Sequence, residues 1–290
     1  MNLIKWTWRN ILARKYLYQY YDGVDATFRE QLQITINEYA GNQYAEEINC
    51  LKKNGATWYP HKGSIWKRKL PFFKILIFWD DEEETYIYFK GKKIWCNFKT
   101  YVSLLAEQHP KCAHRYFREG ACHVKEGDVL VDVGAAEGMI SLNYIDRVQK
   151  VYLIEGDMKW KKALEKTFAP YMDKVTFIYK FAADKNDDDN ITLDYILKDL
   201  VVSEGGNIVI KIDVEGYEMK VLEGAENLLK RKDVQFAVCT YHKERDADDL
   251  EKFFASRGYK TEFSHGYLWM PIFTDKAPYL RKGVIRAWKD

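Results

Sequence analysis

Residues Val129 to Gly138 read VLVDVGAAEG, and this stretch decides the fold. An apolar, β-branched run leads to Asp132, small residues follow at Gly134, Ala135 and Ala136, and Gly138 opens an amphipathic stretch. That order predicts strand, tight turn and helix, the first unit of a doubly wound α/β sheet whose ligands bind beyond the strands' carboxyl ends. Gly134 permits a sharp turn, and Gly138 lets a ligand or another backbone approach closely. Glu155 ends the next apolar run about 20 residues on, where a carboxylate commonly holds ribose hydroxyls. A nucleoside-bearing cofactor is the first expectation.

From Gly127 onward the alternation continues. Strands are expected at 128–133, 150–155, 174–180, 207–213 and 234–241, with helices at 138–148, 157–168, 215–230 and 246–256. In the helix over 215–230, Tyr217, Val221, Ala225 and Leu228 form an apolar stripe opposite Glu218, Glu223 and Glu226. The last helix starts with Asp246, Asp248 and Asp249 at its positive end and stops at Gly258. Two further strands, 259–264 and 267–273, flank His265–Gly266 as a hairpin turn. Five strands with helical crossovers and a closing hairpin predict a Rossmann-like α/β fold with a seven-stranded, mostly parallel sheet. A dinucleotide-binding domain usually lacks that hairpin.

Upstream the period changes. Residues 3–18 place Ile4, Trp8, Ile11 and Leu12 at helical spacing among Lys5, Arg9, Arg14 and Lys15. Such a helix docks on the domain or makes peripheral contact with an anionic membrane surface. Residues 25–53 read as helix in two pieces, residues 56–98 as a small antiparallel meander, and residues 100–109 as a helix stopping before Pro110. The run Asp80 to Glu84 and the NDDDN segment at 186–190 read as solvated turns. The expected organisation is an N-terminal α/β extension over 1–110 and the cofactor domain over 111–290.

With 290 residues, 47% apolar and 30% charged, the chain can build a sizeable core without staples. A formal net charge of +2 gives no global argument for nucleic acid, and none is expected as a partner. Cys50, Cys96, Cys112, Cys122 and Cys239 are scattered and odd in number, which fits a reducing compartment rather than a disulfide framework or thiolate zinc site. No apolar run approaches the roughly 20 residues that span a bilayer, and charges interrupt any signal-peptide core. A cytoplasmic location is expected.

Asp132 bears on the choice of cofactor. Dinucleotide sites seat a pyrophosphate on the helix N-terminus, with G-x-G-x-x-G giving backbone room. Here the spacing is D-x-G-x-x-x-G, and a carboxylate at the turn would repel phosphate. S-adenosylmethionine carries an ammonium and a sulfonium instead, which an acidic turn suits.

The run Lys211 to Ala225, KIDVEGYEMKVLEGA, extends the match. Together with VLVDVGAAEG it resembles the FkbM-type methyltransferases, whose D-x-E-G-x-E run follows the fourth strand. The resemblance also takes in EQHPKCAHRYF at 107–117, VYLIEGDMKWKKALEKTF at 151–168 and the closing RKGVIRA. It implies a class I methyltransferase fold and S-adenosylmethionine-dependent O-methylation, often of sugar hydroxyls. By the same resemblance Asp132, Gly134, Ala135, Glu137 and Gly138 contact the methionine part of the cofactor, Glu155 the ribose, and Phe181 and Ala182 the adenine. Ala136 and Glu137 depart from the family, in which Asn is common before this last glycine.

Methyl transfer is an in-line displacement, so positioning donates most of the rate, and the acceptor hydroxyl needs help losing its proton. Asp213, Glu215 and His242 stand at expected strand ends and are the catalytic candidates, with His242 suited by its ordinary pKa to proton abstraction. His114, Arg115 and Tyr116, ahead of the first strand, serve as structural residues or as a lid over the acceptor. Asp213, Glu215 and His242 also have donors suited to a divalent metal, but their spacing matches no strong motif and no metal site is assigned. Two alternatives stay open: an NAD-dependent oxidoreductase, motivated by Glu155, and a non-catalytic glycan- or lipid-binding module, motivated by the aromatic, basic N-terminal part.

Overall fold

The computed structural model describes residues 57–58, 86–89, 92–95, 108, 112–266, 268–269 and 280–290. The helices expected at 3–18, 25–53 and 100–109, the acidic run at 80–84 and most of the 56–98 meander lie outside those residues. Within that meander are β1 (Thr57–Trp58), β2 (Tyr86–Phe89) and β3 (Lys92–Trp95). β2 and β3 pair antiparallel.

The main body follows in order. β4 (Val129–Val133) leads to α1 (Met139–Tyr144), and β5 (Lys150–Ile154) to a 3₁₀ turn and α2 (Lys161–Phe168). Then come β6 (Val175–Ile178), the short pair β7 (Phe181–Ala182) and β8 (Asn190–Ile191), and α3 (Leu193–Ile196). β9 (Ile208–Ile212), α4 (Glu218–Glu223), β10 (Val234–Cys239) and α5 (Asp246–Ala255) complete the crossovers. The chain closes with β11 (Lys260–Phe263), β12 (Leu268–Trp269), β13 (Leu280–Arg281) and β14 (Val284–Trp288).

Seven strands form one sheet in the order β11-β14-β10-β9-β4-β5-β6, and only β14 runs against its neighbours. The chain turns outward in both directions from the β4–β9 pair, which makes the carboxyl ends of those two strands the crevice of the fold. Alternation fills both faces. Val129, Val131, Val133, Ile208, Ile210 and Ile212 enter one apolar layer with Phe236 and Phe254. Leu130 and Val209 enter the other, with Leu142, Leu164 and Phe168. The period of two therefore sends Asp132 and Lys211, register partners on adjacent strands, to the second face together.

Two expectations are corrected. The closing strands are not a hairpin over 259–264 and 267–273. β11 pairs with β14, while β12 joins β1 and β13 in a separate small sheet. Arg286 hides β14 from a hydrophobic reading, yet its guanidinium is buried. It donates to the carbonyls of Tyr116 (2.6 Å) and Arg115 (2.6 Å) and to Glu262 (3.1 Å).

The helix expected over 215–230 is shorter. Glu215 and Gly216 take left-handed backbone angles (φ 55° and 98°), so α4 starts only at Glu218, and the chain resumes as a 3₁₀ turn at Leu228–Lys230. Tyr217 is exposed rather than part of the stripe, and Glu218, expected to face solvent, is buried.

Candidate functional site

The turn after β4 is shaped by its small residues. Gly134 (φ 73°) lies so close to the end of β9 that a Cβ there would stand 1.9 Å from the Asp213 carbonyl oxygen. Gly138 (φ 78°) opens α1 directly beneath the Phe168 ring, 2.6 Å from where a Cβ would sit. Ala136 also takes a left-handed angle (φ 46°), and its N–H donates to Glu155 Oε2 at 2.8 Å.

Asp132 does not face the crevice. It is 1% exposed, accepts from the Ser141 hydroxyl at 2.8 Å, and pairs with Lys211 Nζ at 3.0 Å. Lys211 Nζ also donates to the Gly134 carbonyl at 2.5 Å. Burial disfavours the charged lysine, but the carboxylates of Asp132 and Asp213 outweigh it and hold its pKa above the ordinary value. The carboxylate thus neutralises a buried lysine that braces the turn, and its repulsion of phosphate carries no weight here. The family run contained Lys211, but its role was not legible without the register.

Glu155 follows β5 at the mouth of the turn, with Oε1 accepting from Asp157 N–H at 2.8 Å. Burial pushes its carboxyl up; hydrogen bonds from Asp157 and Ala136 and the charge of Lys211 oppose this. Phe181, 55% exposed, lays its ring against Gly156, where a Cβ would come within 2.3 Å of the ring. Ala182 and Glu137 are buried beside this mouth. Glu155 and Phe181 thus offer a carboxylate and an open aromatic face side by side. That donor chemistry fits a ribose and an adenine ring.

A second group of side chains stands across the crevice. Asp213, just past β9, accepts from the Tyr116 hydroxyl at 2.6 Å and lies 3.5 Å from His114 Nε2 and 3.5 Å from His242 Nε2. Burial would raise its carboxyl; His114, Lys211 and His242 together hold it well below the usual carboxylate range. His114 and Tyr116 are not a lid. Both are buried, and the Tyr241 hydroxyl meets His114 Nε2 at 3.1 Å, so they form the floor beneath Asp213.

His242 follows β10, its carbonyl held by Arg281 at 2.9 Å. Its Nδ1 lies 2.8 Å from Glu218 Oε1, an oxygen that accepts from the N–H groups of Val214 (3.0 Å) and Gly216 (3.3 Å). Burial lowers the His242 pKa, but the carboxylates of Glu218, Asp213 and Glu215 override it and shift the ring toward its charged form. Asp213 and Glu215 each come within 3.5 Å of His242 Nε2. Glu218, the last letter of the D-x-E-G-x-E run, and Tyr241 had no role in the site on sequence grounds, and Tyr116 takes the structural one of its two expected roles.

Residues 149–261 match the methyltransferase FkbM domain. The match spans Glu155, Phe181, Asp213, Glu215, Glu218 and His242, begins just after the VLVDVGAAEG turn, and sets aside the oxidoreductase alternative. No curated relative matches the chain.

Among solved structures, the methyltransferase FkbM from Methylobacillus flagellatus KT is 21% identical, with a TM-score of 0.49, covering 64% of this chain and 54% of that one. This chain therefore spans about half the length of that protein. The precorrin-6y C5,15-methyltransferase from Geobacter metallireducens GS-15 is 13% identical (TM-score 0.40; 58% of this chain, 84% of that one). Trm5b from Pyrococcus abyssi is 15% identical (TM-score 0.43; 72% of this chain, 56% of that one).

Proposed function

We propose that the protein is an S-adenosylmethionine-dependent O-methyltransferase acting on a hydroxyl of a sugar, glycan or related metabolite. One observation carries the reading: the Gly134 turn and Asp213 are in backbone contact, so a donor held in the turn and an acceptor held at the Asp213–His242 cluster are neighbours. The FkbM domain supports the donor, and the oxygen and nitrogen side chains of the cluster support a hydroxyl acceptor. Glu155 would hold the ribose hydroxyls and Phe181 would stack on the adenine. The turn from Gly134 to Gly138 would hold the methionine end, with Asp132 acting through Lys211 rather than by contact.

When bound, the cofactor supplies a methyl group made electrophilic by its sulfonium. The Gly134–Gly138 turn, Glu155 and Phe181 would hold that donor so that its methyl group is available to an acceptor oxygen held at the Asp213–His242 cluster. The hydroxyl proton leaves through the Asp213–Glu215–His242 cluster to solvent, and most of the rate comes from alignment.

Calorimetry with S-adenosylmethionine, followed by methyl transfer to a panel of sugars, tests this. Affinity of about 1 μM or tighter, near −8 kcal/mol, is expected. His242→Ala should lower turnover on the accepted sugar while leaving cofactor affinity unchanged. Absence of cofactor binding would overturn the reading.

A further inference from the structure

Tyr116 reaches Asp213, but its neighbour Arg115 lines a cavity of about 570 Å³ that borrows no side chain from the Asp213–His242 cluster. Arg118, Lys282, Arg286 and Glu262 share its wall. Strand register places it at the flank of the sheet. β14 lies between β10 and the edge strand β11, so Arg286 has Ala237 on one side and Glu262 on the other. Segment 112–118 is tied down over this row. Arg286 holds the carbonyls of Arg115 and Tyr116, and the Ser264 hydroxyl donates to the carbonyl of Ala113. A Cβ at Gly283 would stand 2.0 Å from that same Ala113 oxygen, so only glycine lets the segment come this close. The cavity is thus framed by backbone contacts.

Its charge is unbalanced. Three arginines and a lysine line it against a single carboxylate. Glu262 is already shared: it accepts from Arg118 Nε at 2.8 Å and from Arg286 Nη1 at 3.1 Å, and it also meets Arg118 Nη2. Arg115 and Lys282 pair with no carboxylate among the described residues, and the Lys282 ammonium lies 3.9 Å over the Phe263 ring. Concave walls that carry one sign of charge focus the field between them and draw in the opposite ion. A phosphate monoester brings about −1.5 to −2 charges and three acceptor oxygens, which answers this excess better than the single charge of a carboxylate. Guanidinium forks match phosphate oxygens in pairs. The volume falls within the roughly 300–1,000 Å³ of small-molecule sites, which favours a small ligand over a polymer backbone.

We propose that this cavity binds a phosphate group, free or carried by a small molecule, with Arg115 and Lys282 as its principal contacts and Arg118 at its rim. Arg286 and Glu262 set the wall rather than the affinity, since their charges are committed to each other and to the backbone of segment 112–118. The site goes beyond the methyl-transfer reading and does not depend on it, because S-adenosylmethionine carries no phosphate.

The test is calorimetric titration of the full-length protein, in phosphate-free buffer at low salt, with inorganic phosphate, glucose 6-phosphate and glucose. Saturable binding of one phosphate-bearing probe per chain is expected, with none for glucose. Tighter binding of glucose 6-phosphate supports a phosphorylated small molecule as the ligand, and binding of inorganic phosphate alone supports the free anion. Arg115→Gln and Lys282→Gln should each weaken the binding at least tenfold. Neither substitution breaks an ion pair among the described residues, and each tests the site if the other fails to fold. Lys198→Gln, at an exposed lysine on another face of the chain, should leave the affinity unchanged. The site is overturned if neither phosphate probe saturates, if both cavity variants bind as the parent does, or if Lys198→Gln weakens binding as much as they do.

Discussion

Asp132 and Lys211 hold each other in the interior, 1% and 4% exposed, and neither would be tolerated there alone. Removing one partner of a buried pair leaves an uncompensated charge and costs about 3–5 kcal/mol. Asp132→Ala should therefore lower the unfolding free energy in denaturant titrations by that order, and cofactor affinity should fall as the turn loses its brace. Glu155 behaves differently because it sits at the mouth. Burial lifts its carboxyl above the ordinary glutamate value, so it takes up its proton at a higher pH than an ordinary glutamate. The ionised form is the better acceptor for ribose hydroxyls and exists above that pKa. S-adenosylmethionine affinity is thus expected to weaken on acidification before ordinary carboxylates titrate, and Glu155→Gln should flatten that profile in calorimetry at a series of pH values.

At the scale of elements, the crevice exists because two strand ends are allowed to touch. A methyl group at Gly134 would need a left-handed angle and would meet the Asp213 carbonyl at 1.9 Å. Overpacking and the left-handed backbone each cost about 1–3 kcal/mol, so Gly134→Ala should destabilise the fold by at least about 2 kcal/mol. It should also part β4 from the residue after β9, and a lower melting temperature together with lost cofactor binding is the expected readout. The D-x-E-G-x-E run works in the same way, as a folded-back loop rather than the start of a long helix. Its first acid faces the crevice, its second overhangs His242, and its third is buried as the loop's anchor. β14 is the corresponding case at the sheet's far side: Arg286 ties the closing strand to the segment carrying Tyr116, which in turn holds Asp213.

Across the whole molecule, the sheet order places the cofactor turn and the Asp213–His242 cluster at the carboxyl ends of three adjacent central strands, β4, β9 and β10. A ligand that bridges them should stabilise the native state by mass action. S-adenosylmethionine at 100 times its dissociation constant is expected to add about 2.7 kcal/mol, read as a rise in melting temperature, whereas NAD should leave it unmoved. Among the described residues no helix is long and apolar enough to cross a membrane.

The sequence by itself determined the doubly wound class, the turn at Gly134–Gly138, the mouth at Glu155 and the strand-end set Asp213, Glu215 and His242. Those features are local: glycine spacing, a period of two and a period near four are written within a few residues of each other. Only the tertiary structure decided that Asp132 faces Lys211, that Glu218 is buried behind His242, and that β14 rather than 267–273 inserts beside β10. These depend on partners far apart in the chain: Tyr116 meets Asp213 across 97 positions, and Arg286 meets Tyr116 across 170. A buried charge looks like a surface charge until its partner is known, and no local pattern names that partner.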